Sequence, residues 1–485
     1  MYKLALYCLF VVAILAVLLG FLGKLPYNGV QLFWSAVFLM LFCYFFNYIF
    51  AQVLDAPATA ESSIITALIL FLVMQPAQSA KDLLVIFLVS LVAILSKYVF
   101  AINKKHIFNP AVVAAVVFGF SANWGATWWV ANLYMMPIVC IAGFLIVKKI
   151  RRFPLFFACI LGFFISFYFI NGFESFFPSL KTILISWPLI FFATIMLTEP
   201  STLPPHKNQQ IIYGLLIGLF LGAPVRIFGN IYTTPEIVLA IGNIIAFSLS
   251  QKRKLKMEFV EKIQLAKDCY EFVFSAQGGP ASGWNALIFR AGQFMEWSLP
   301  HKKQDSRGIR RYFTISSAPN EKYVKIGVRF NEKSSSFKTD LLNLKKGDFI
   351  FAGSLAGDFI LPKKDKNELV FVAGGIGITP FVSMVRDLIN KNEKADIVLF
   401  YANRTEDVPY ADLLKTAEQK VGVKTIYLIG NEFLNEQVIK KHVPNLKDKI
   451  FYLSGPSAMV DNYKKLIKNM GVRAGNIKTD YFPGF

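Results

Sequence analysis

Residues 311–317 read Arg-Tyr-Phe-Thr-Ile-Ser-Ser, and residues 371–380 read Phe-Val-Ala-Gly-Gly-Ile-Gly-Ile-Thr-Pro. The guanidinium of Arg311 is a planar fork suited to gripping phosphate oxygens. Gly374, Gly375 and Gly377 let a backbone approach a dinucleotide phosphate, and Pro380 after Thr379 suits the first turn of a helix. Between these segments, Ser334-Ser335-Ser336-Phe337-Lys338 opens an expected helix ending near Leu344, whose first amides and hydroxyls can meet a pyrophosphate. A glycine-rich turn by itself is also an ordinary strand-to-helix connection. Preceded by the Arg-x-Phe-Thr strand, it points to nucleotide chemistry.

The elements around these residues change character along the chain. From Lys256 the pattern alternates, through Phe259–Leu265, Glu271–Phe274 and Gly292–Trp297, with turn residues between. Such short strands predict a small antiparallel β-barrel running to about Pro362. Strand-like Glu368–Ala373, Ile397–Tyr401, Lys424–Ile429 and Ile450–Ser454 then alternate with helical stretches, the signature of a parallel α/β sheet. The expected domains are thus 255–362 and 366–485.

These two domains together resemble the ferredoxin-NADP reductase family. The resemblance implies FAD on the barrel and NADH or NADPH on the α/β domain. It gives Arg311 to the flavin's phosphate, Phe313 to the isoalloxazine, the Thr314 hydroxyl to its reactive nitrogen and Tyr312 to the ribityl or adenosine side. It places nicotinamide near Ser454-Gly455-Pro456, where many members have Cys-Gly-Pro, so hydride transfer here cannot lean on a thiol. Asp480-Tyr481-Phe482 resembles the family's terminal acidic-x-aromatic segment, making Asp480 a candidate beside Thr314 for the chemistry; the alternative is that the aromatics only close an edge. Arg404 after a strand end suits the extra phosphate of NADPH but does not decide between the two nucleotides. No cysteine follows Cys269, so an appended iron-sulfur domain is not expected.

Residues 1–250 are a different material. The 485-residue chain is 55% hydrophobic, with mean hydropathy +0.48, and most of that lies in this half. Against the roughly 20 residues needed to cross a bilayer, ten apolar cores are expected: Leu4–Leu22, Val30–Phe50, Ile64–Met74, Leu83–Ile102, Pro110–Phe120, Leu133–Val147, Leu155–Ile170, Ile183–Leu197, Ile211–Leu221 and Ile237–Leu249. Several are short and bounded by Gly or Pro, which suggests tilted or broken helices whose freed backbone groups face a cavity or cofactor. The first run is long and is expected to be a retained helix rather than a signal peptide.

Both halves are basic, +7 over residues 1–250 and +13 over the rest. In the first half the charges cluster between apolar runs, at Lys104-Lys105-His106, at 148–152 and at Lys252-Arg253-Lys254. That distribution matches cytoplasmic loops and an anionic lipid surface rather than nucleic acid. With ten spans all three clusters fall on one side, which places both termini in the cytoplasm. Cys8, Cys43, Cys140, Cys159 and Cys269 have no C-x-x-C spacing and read as core residues, with no metal site expected. The four histidines, His106, His206, His301 and His442, offer no axial pair within a span. On that ground no haem is expected.

Ser62–Leu70, Lys105–Ala111 and Leu197–Thr202 resemble the family of flavin-carrying membrane proteins found in Rnf-type complexes and in sodium-translocating NADH:quinone reductase. That resemblance implies FMN or riboflavin in the membrane domain. In that family FMN is esterified to a threonine in a Ser/Thr-Gly-Ala-Thr sequence on the outer side. Asn123-Trp124-Gly125-Ala126-Thr127 maps Thr127 onto that threonine, with Trp124 where a small hydroxyl residue is usual. The alternative is that Gly125 and Ala126 permit close packing while Trp124, Trp128 and Trp129 form an interfacial aromatic belt. Glu199 ends an apolar run, so it is either functional or a helix cap.

The expected function is a fused membrane reductase. Electrons pass from NAD(P)H through FAD to a flavin in the membrane domain, and on to a quinone or an extracytoplasmic acceptor; further redox subunits are compatible with it. One rival is a redox-driven Na⁺ or H⁺ pump. The other is a transporter with a flavoprotein regulatory domain.

Overall fold

The computed structural model describes residues 2–54, 60–102, 105–121, 124–228, 231–250, 255–276, 287–301, 304–305, 308–362 and 369–482. Lys104, Asn123, Lys252–Lys254 and Glu368, all named above, lie outside them. The chain divides into two compact units, Met1–Lys254 and Leu255–Phe485.

The first unit is helical: α1 (Tyr2–Phe21), α2 (Gly29–Val53), α3 (Ala60–Val73), α4 (Asp82–Val99), α5 (Pro110–Ser121), α6 (Met136–Ile150), α7 (Phe153–Ser186), α8 (Lys207–Gly222) and α9 (Pro235–Leu249). The expectation of ten spans is corrected. Among the described residues four helical segments are long and apolar enough to cross a membrane, Tyr2–Phe21, Gly29–Val53, Asp82–Val99 and Phe153–Gly172. Three others, Ala60–Val73, Pro110–Phe120 and Pro235–Leu249, are apolar but shorter.

The shortening has a local cause. Prolines start α5 and α9, and α3 stops at Val73, just before Gln75-Pro76. Its freed Val73 carbonyl takes the amides of Thr127 and Trp128, both at 2.9 Å. The backbone that the broken helix exposes is thereby paired inside the protein, as an apolar surround requires.

Chain packing is closest between α7 and α8. Gly214, Gly218 and Gly222 recur every fourth residue and lie against the carbonyls of Leu155, Cys159 and Phe163; a Cβ on any of them would stand 2.1–2.6 Å from those oxygens. The spacing makes a small-residue ridge that admits a second backbone.

The second unit holds two sheets. In the first, β1 (Leu255–Ala266), β2 (Cys269–Ala276), β3 (Phe294–Ser298), β4 (Arg310–Thr314), β5 (Val324–Arg329) and β6 (Phe349–Ala356) pair antiparallel in the order β4-β3-β6-β1-β2-β5. The expected barrel is not closed: among the described residues β4 and β5 form the two edges, and their ends meet at the isolated Ile315–Ile326 bridge and the Ser316 amide's bond to the Lys325 carbonyl. Its core gathers Trp297, Phe272, Phe274 and Met257 with Phe337, which comes from α10 (Ser336–Leu342).

The second sheet is parallel: β7 (Leu369–Gly374), β8 (Ile397–Asn403), β9 (Val423–Ile429), β10 (Ile450–Pro456) and β11 (Ile477–Phe482), in the order β9-β8-β7-β10-β11. Helices α11 (Thr379–Lys391), α12 (Ala411–Val421), α13 (Glu436–His442) and α14 (Ser457–Asn469) alternate with its strands. Apolar clusters form on both faces of the sheet, one around Phe371 and Leu399, the other around Val370, Val372 and Phe400. Every residue of β7 is buried, as a central parallel strand covered on both faces should be. The strand order turns back between β7 and β10, and ligands of open α/β sheets occupy the crevice at such a point.

Candidate active site

On β4 the side chains alternate. Tyr312 is exposed and donates from its hydroxyl to Glu296 Oε2 at 2.8 Å. Arg311 carries its guanidinium 5.3 Å from the centre of the Phe337 ring, which also lies 5.8 Å from that of Phe313. Arg311 Nη1 donates to the carbonyls of Gly308 and Arg310, and Nη2 is 3.7 Å from Asp305 Oδ1. Thr314 closes the strand and is buried.

Ser335 and Ser336 are both hydrogen-bonded within the protein. Helix α10 is shorter than the sequence suggests. Ser335 is its buried N-cap, its hydroxyl accepting from the Lys338 amide. The Ser336 amide donates to Asp305 Oδ2 at 3.1 Å, and its hydroxyl accepts from the Asp305 amide at 2.9 Å. Both are engaged internally because the seven-residue helix needs a cap and the adjoining 305 backbone needs a partner. Arg311 and Ser336 thus converge on the Asp305 carboxylate.

The glycine turn ends β7. Gly374 closes the strand, 375–378 form a tight helical turn, and Thr379 and Pro380 start α11. Gly375 has φ +53°, a left-handed conformation that suits glycine. At Gly377 a Cβ would lie 2.6 Å from both the Gly455 Cα and the Ser454 carbonyl. The Thr379 hydroxyl is buried and donates to the Ile376 carbonyl at 3.1 Å. Register puts Ala373, Ser454 and Asp480 abreast on β7, β10 and β11. Asp480 Oδ1 accepts the amide of Tyr481, and Pro456 is exposed at the end of β10.

Gly377→Val follows directly from this contact. It is expected to cut NAD(P)H-driven flavin reduction by about a hundredfold or more while flavin stays bound, because the bulk pushes the turn off β10. Stopped-flow absorbance checks it, and a variant reduced as fast as the parent would show that the turn plays no part.

A second group is not evident from sequence reasoning. Glu271 on β2 is 2% exposed and accepts two hydrogen bonds from Arg386 of α11, at 2.9 and 3.0 Å. Ser316 donates to it at 2.7 Å and the Tyr410 hydroxyl at 2.9 Å. Burial pushes this carboxyl upward, but the hydrogen bonds and charge of Arg386, helped by Ser316 and Lys325, outweigh it and hold the group below its ordinary value. Ser383 of α11 adds a bond to the Ser317 carbonyl at 2.7 Å. The one signal that could have found the cluster is a glutamate inside Cys-Tyr-Glu-Phe-Val-Phe.

In the first unit, the three motifs 62–70, 105–111 and 197–202 meet. They line an open cavity whose polar residues include Thr66, Lys97, His106, Asn109, Thr198 and Glu199, with isoleucines among its apolar walls. Glu199 does not cap a helix with its side chain. Its carboxylate accepts from Asn109 Nδ2 at 2.7 Å and from Ser201 Oγ at 2.9 Å. Elsewhere in this unit Thr127 is exposed, while Trp128 and Trp129 are buried, not set out as an interfacial belt. Their indoles donate to Glu236 and to the Phe71 and Met74 carbonyls, as buried tryptophans require.

Comparison with known proteins puts this geometry in context. Residues 371–465 match the family model of the oxidoreductase NAD-binding domain. The C-terminal half is an NAD(P)H-dependent oxidoreductase module. Among curated proteins, it is similar to flavohemoprotein A of Dictyostelium discoideum, 24% identical over 46% of this chain and 60% of that one. It is also similar to the flavohemoprotein of Candida albicans, 28% identical over 39% of this chain and 50% of that one. The chain thus spans between half and two thirds of the length of these relatives. Among solved structures, the flavohem-like FAD/NAD binding domain of nitric oxide dioxygenase from Vibrio cholerae aligns at TM-score 0.41 and 21% identity, over 47% of this chain and 98% of that one. Flavohemoglobin from Malassezia yamatoensis with bound FAD and heme aligns at TM-score 0.43 and 16% identity, over 72% and 98%.

These relatives overturn the expectation that haem is absent. The curated relatives are flavohemoproteins by name. Four histidines outside paired positions bear only on one ligation scheme, two imidazoles within spans.

Proposed function

We propose that this chain is a membrane-bound NAD(P)H-dependent flavin oxidoreductase. Residues 255–362 form its FAD lobe, 366–485 its NAD(P)H lobe and 1–250 a membrane domain that receives the electrons. The observation that carries this reading is the approach of the two expected sites within one compact unit. A Cβ added to Gly327 of β5 would lie 2.7 Å from Thr379 Cγ2, so the glycine turn packs directly on the sheet that carries Arg311.

Bound FAD supplies a ring that accepts hydride from NAD(P)H and releases electrons singly. The residues present fit such a nucleotide: a guanidinium beside an aromatic face, already holding one carboxylate. In this reading Arg311 binds the flavin's phosphate, Phe313 and Thr314 meet its ring, and Tyr312 meets the ribityl or adenosine side. Ser336 joins Arg311 at the phosphate, and Ser335 keeps α10 in place for it. Gly374, Gly375 and Gly377 let the NAD(P)H backbone settle on the turn that Thr379 and Pro380 start. Gly455 and Pro456 border the nicotinamide, with Asp480 one strand away. Mixing the purified chain with NADH or NADPH is expected to bleach its flavin absorbance; a yellow protein indifferent to both would end the proposal.

The cavity at Lys97, His106 and Glu199 supports an acceptor within the first unit. Its apolar walls and few polar groups suit a flat ring bearing carbonyls, whether a flavin or a quinone. The resemblance to the membrane proteins of Rnf-type complexes and NADH:quinone reductase adds FMN on Thr127 and an onward acceptor that is a quinone or extracytoplasmic. Thr127→Ala is expected to abolish flavin fluorescence on a denaturing gel. Equal fluorescence from parent and variant would exclude this threonine.

The position of Glu199 between Asn109 and Ser201 favours one alternative, coupling of electron flow to Na⁺ or H⁺ movement. Turnover in sealed vesicles that is indifferent to the ion gradient would count against it. In the proposed arrangement both termini face the cytoplasm, where NAD(P)H is supplied.

A further inference from the structure

His301 lies just past the end of β3, with its side chain only 4% exposed. Its Nδ1 is 2.8 Å from the Leu299 carbonyl and its Nε2 is 2.9 Å from Ser336 Oγ. A carbonyl only accepts, so Nδ1 carries a hydrogen whatever the charge on the ring. In the neutral ring Nε2 is therefore bare, and the Ser336 hydroxyl donates to it. The same hydroxyl accepts the Asp305 amide at 2.9 Å. Among the described residues the charged groups facing this pair are Asp340 of α10, with Oδ2 3.7 Å from Nδ1, and, across Ser336, Asp305 and Arg311.

A serine hydroxyl has one hydrogen and two lone pairs, which ties its direction to the charge on the imidazole. While His301 is neutral, the hydrogen is committed to Nε2, and Ser336 has none to offer a phosphate oxygen beside Arg311. Once His301 is protonated, Nε2 donates to Oγ instead. Oγ then accepts from the imidazolium and from the Asp305 amide, and its own hydrogen is released to donate elsewhere. One proton on the ring thus turns Ser336 into a donor and adds positive charge behind it. Imidazole is the side chain that makes this change between about pH 5 and about pH 8.

We propose that His301 orients the Ser336 hydroxyl for the FAD diphosphate, and that binding FAD draws a proton from water onto His301 Nε2. The assignment rests on the functional reading above, in which Ser336 joins Arg311 at that phosphate. His301 is a positioning residue, acting through Ser336 without touching flavin. A diphosphate that bridges two groups keeps its charges over the range in which imidazole titrates, so the proton goes to the protein. The sign of the linkage follows: the proton is held more tightly with FAD bound, so FAD binds best in mild acid and weakens as pH rises through the titration of the flavin-bound form.

The test is calorimetric titration of FAD into the full chain in detergent, stripped of flavin, in buffers of different ionisation enthalpy. The parent is expected to take up about half a proton or more per FAD near neutral pH, and to bind FAD about tenfold more tightly at about pH 6 than at about pH 8. His301→Gln, whose carboxamide donates to Ser336 at every pH, should bind FAD with no uptake and with an affinity flat in pH. Ser336→Ala keeps the imidazole and removes the hydroxyl, and should lose most of the uptake; it decides the matter alone if His301→Gln does not fold. The proposal is overturned if the parent binds FAD without taking up a proton, or if either variant retains the parent's uptake. A parent chain that binds no FAD at any pH would overturn the functional reading too, whereas binding indifferent to pH sinks only this assignment.

Discussion

Glu271→Ala is expected to destabilise residues 255–485 by about 3–5 kcal/mol, the range seen when one partner of a buried ion pair is removed. Four hydrogen bonds from Arg386, Ser316 and Tyr410 end on that carboxylate. Alanine leaves a buried guanidinium, a phenol and a hydroxyl without it. The damage also falls between lobes, because Glu271 belongs to the antiparallel sheet while Arg386 on α11 and Tyr410 at the start of α12 belong to the α/β lobe. Glu271→Gln keeps the shape and loses the charge, so its cost should be smaller.

The pH dependence has a definite sign. The carboxyl titrates below its ordinary value in the folded protein, so its contribution is fully present above about pH 4.5 and is lost as pH falls through the lowered folded value. The stability gap between parent and Glu271→Gln should therefore close in acid and stay constant from neutral pH upward. Urea-dependent proteolysis of the C-terminal unit reads both effects. Parent and Glu271→Ala agreeing within about 1 kcal/mol would show that the cluster is not a structural tie.

Arg311→Ala is expected to weaken FAD by about a hundredfold, measured by quenching of flavin fluorescence on titration. The guanidinium is largely shielded between Phe337 and the Gly308 and Arg310 carbonyls, so its geometry is set before any ligand arrives. A preset fork loses little freedom on binding phosphate, which is why Arg311→Lys should restore only a small part. An unchanged dissociation constant would remove β4 from the flavin site.

Much of the C-terminal half is legible in the sequence because its signals are local. An unbroken apolar strand, three glycines and a proline announce β7 and its turn within ten residues. Alternation announces the antiparallel strands. Glu271, Arg386 and Tyr410 are not legible in this way: Arg386 and Tyr410 lie 115 and 139 positions from Glu271 in the chain, and each alone reads as an ordinary surface residue. Ser335 and Ser336 show the converse. Their types announce a helix start, but that their hydrogen bonds meet Lys338 and Asp305 is set only by the fold.

In the first half, apolar runs locate helices but overstate their reach. Hydropathy cannot show that α3 stops before Pro76 or that α5 and α9 start only at Pro110 and Pro235, nor that Trp128 and Trp129 turn inward to donate to buried acceptors. The sequence by itself determined that this chain joins an apolar helical half to a nucleotide-binding half, since composition and short motifs need no partner to be read. Only the tertiary structure decided which polar groups meet: Glu199 with Asn109, Glu271 with Arg386, and His301 with Ser336. Those meetings depend on long-range closure of the chain, and a buried charge finds its partner by position in space, not by spacing in sequence.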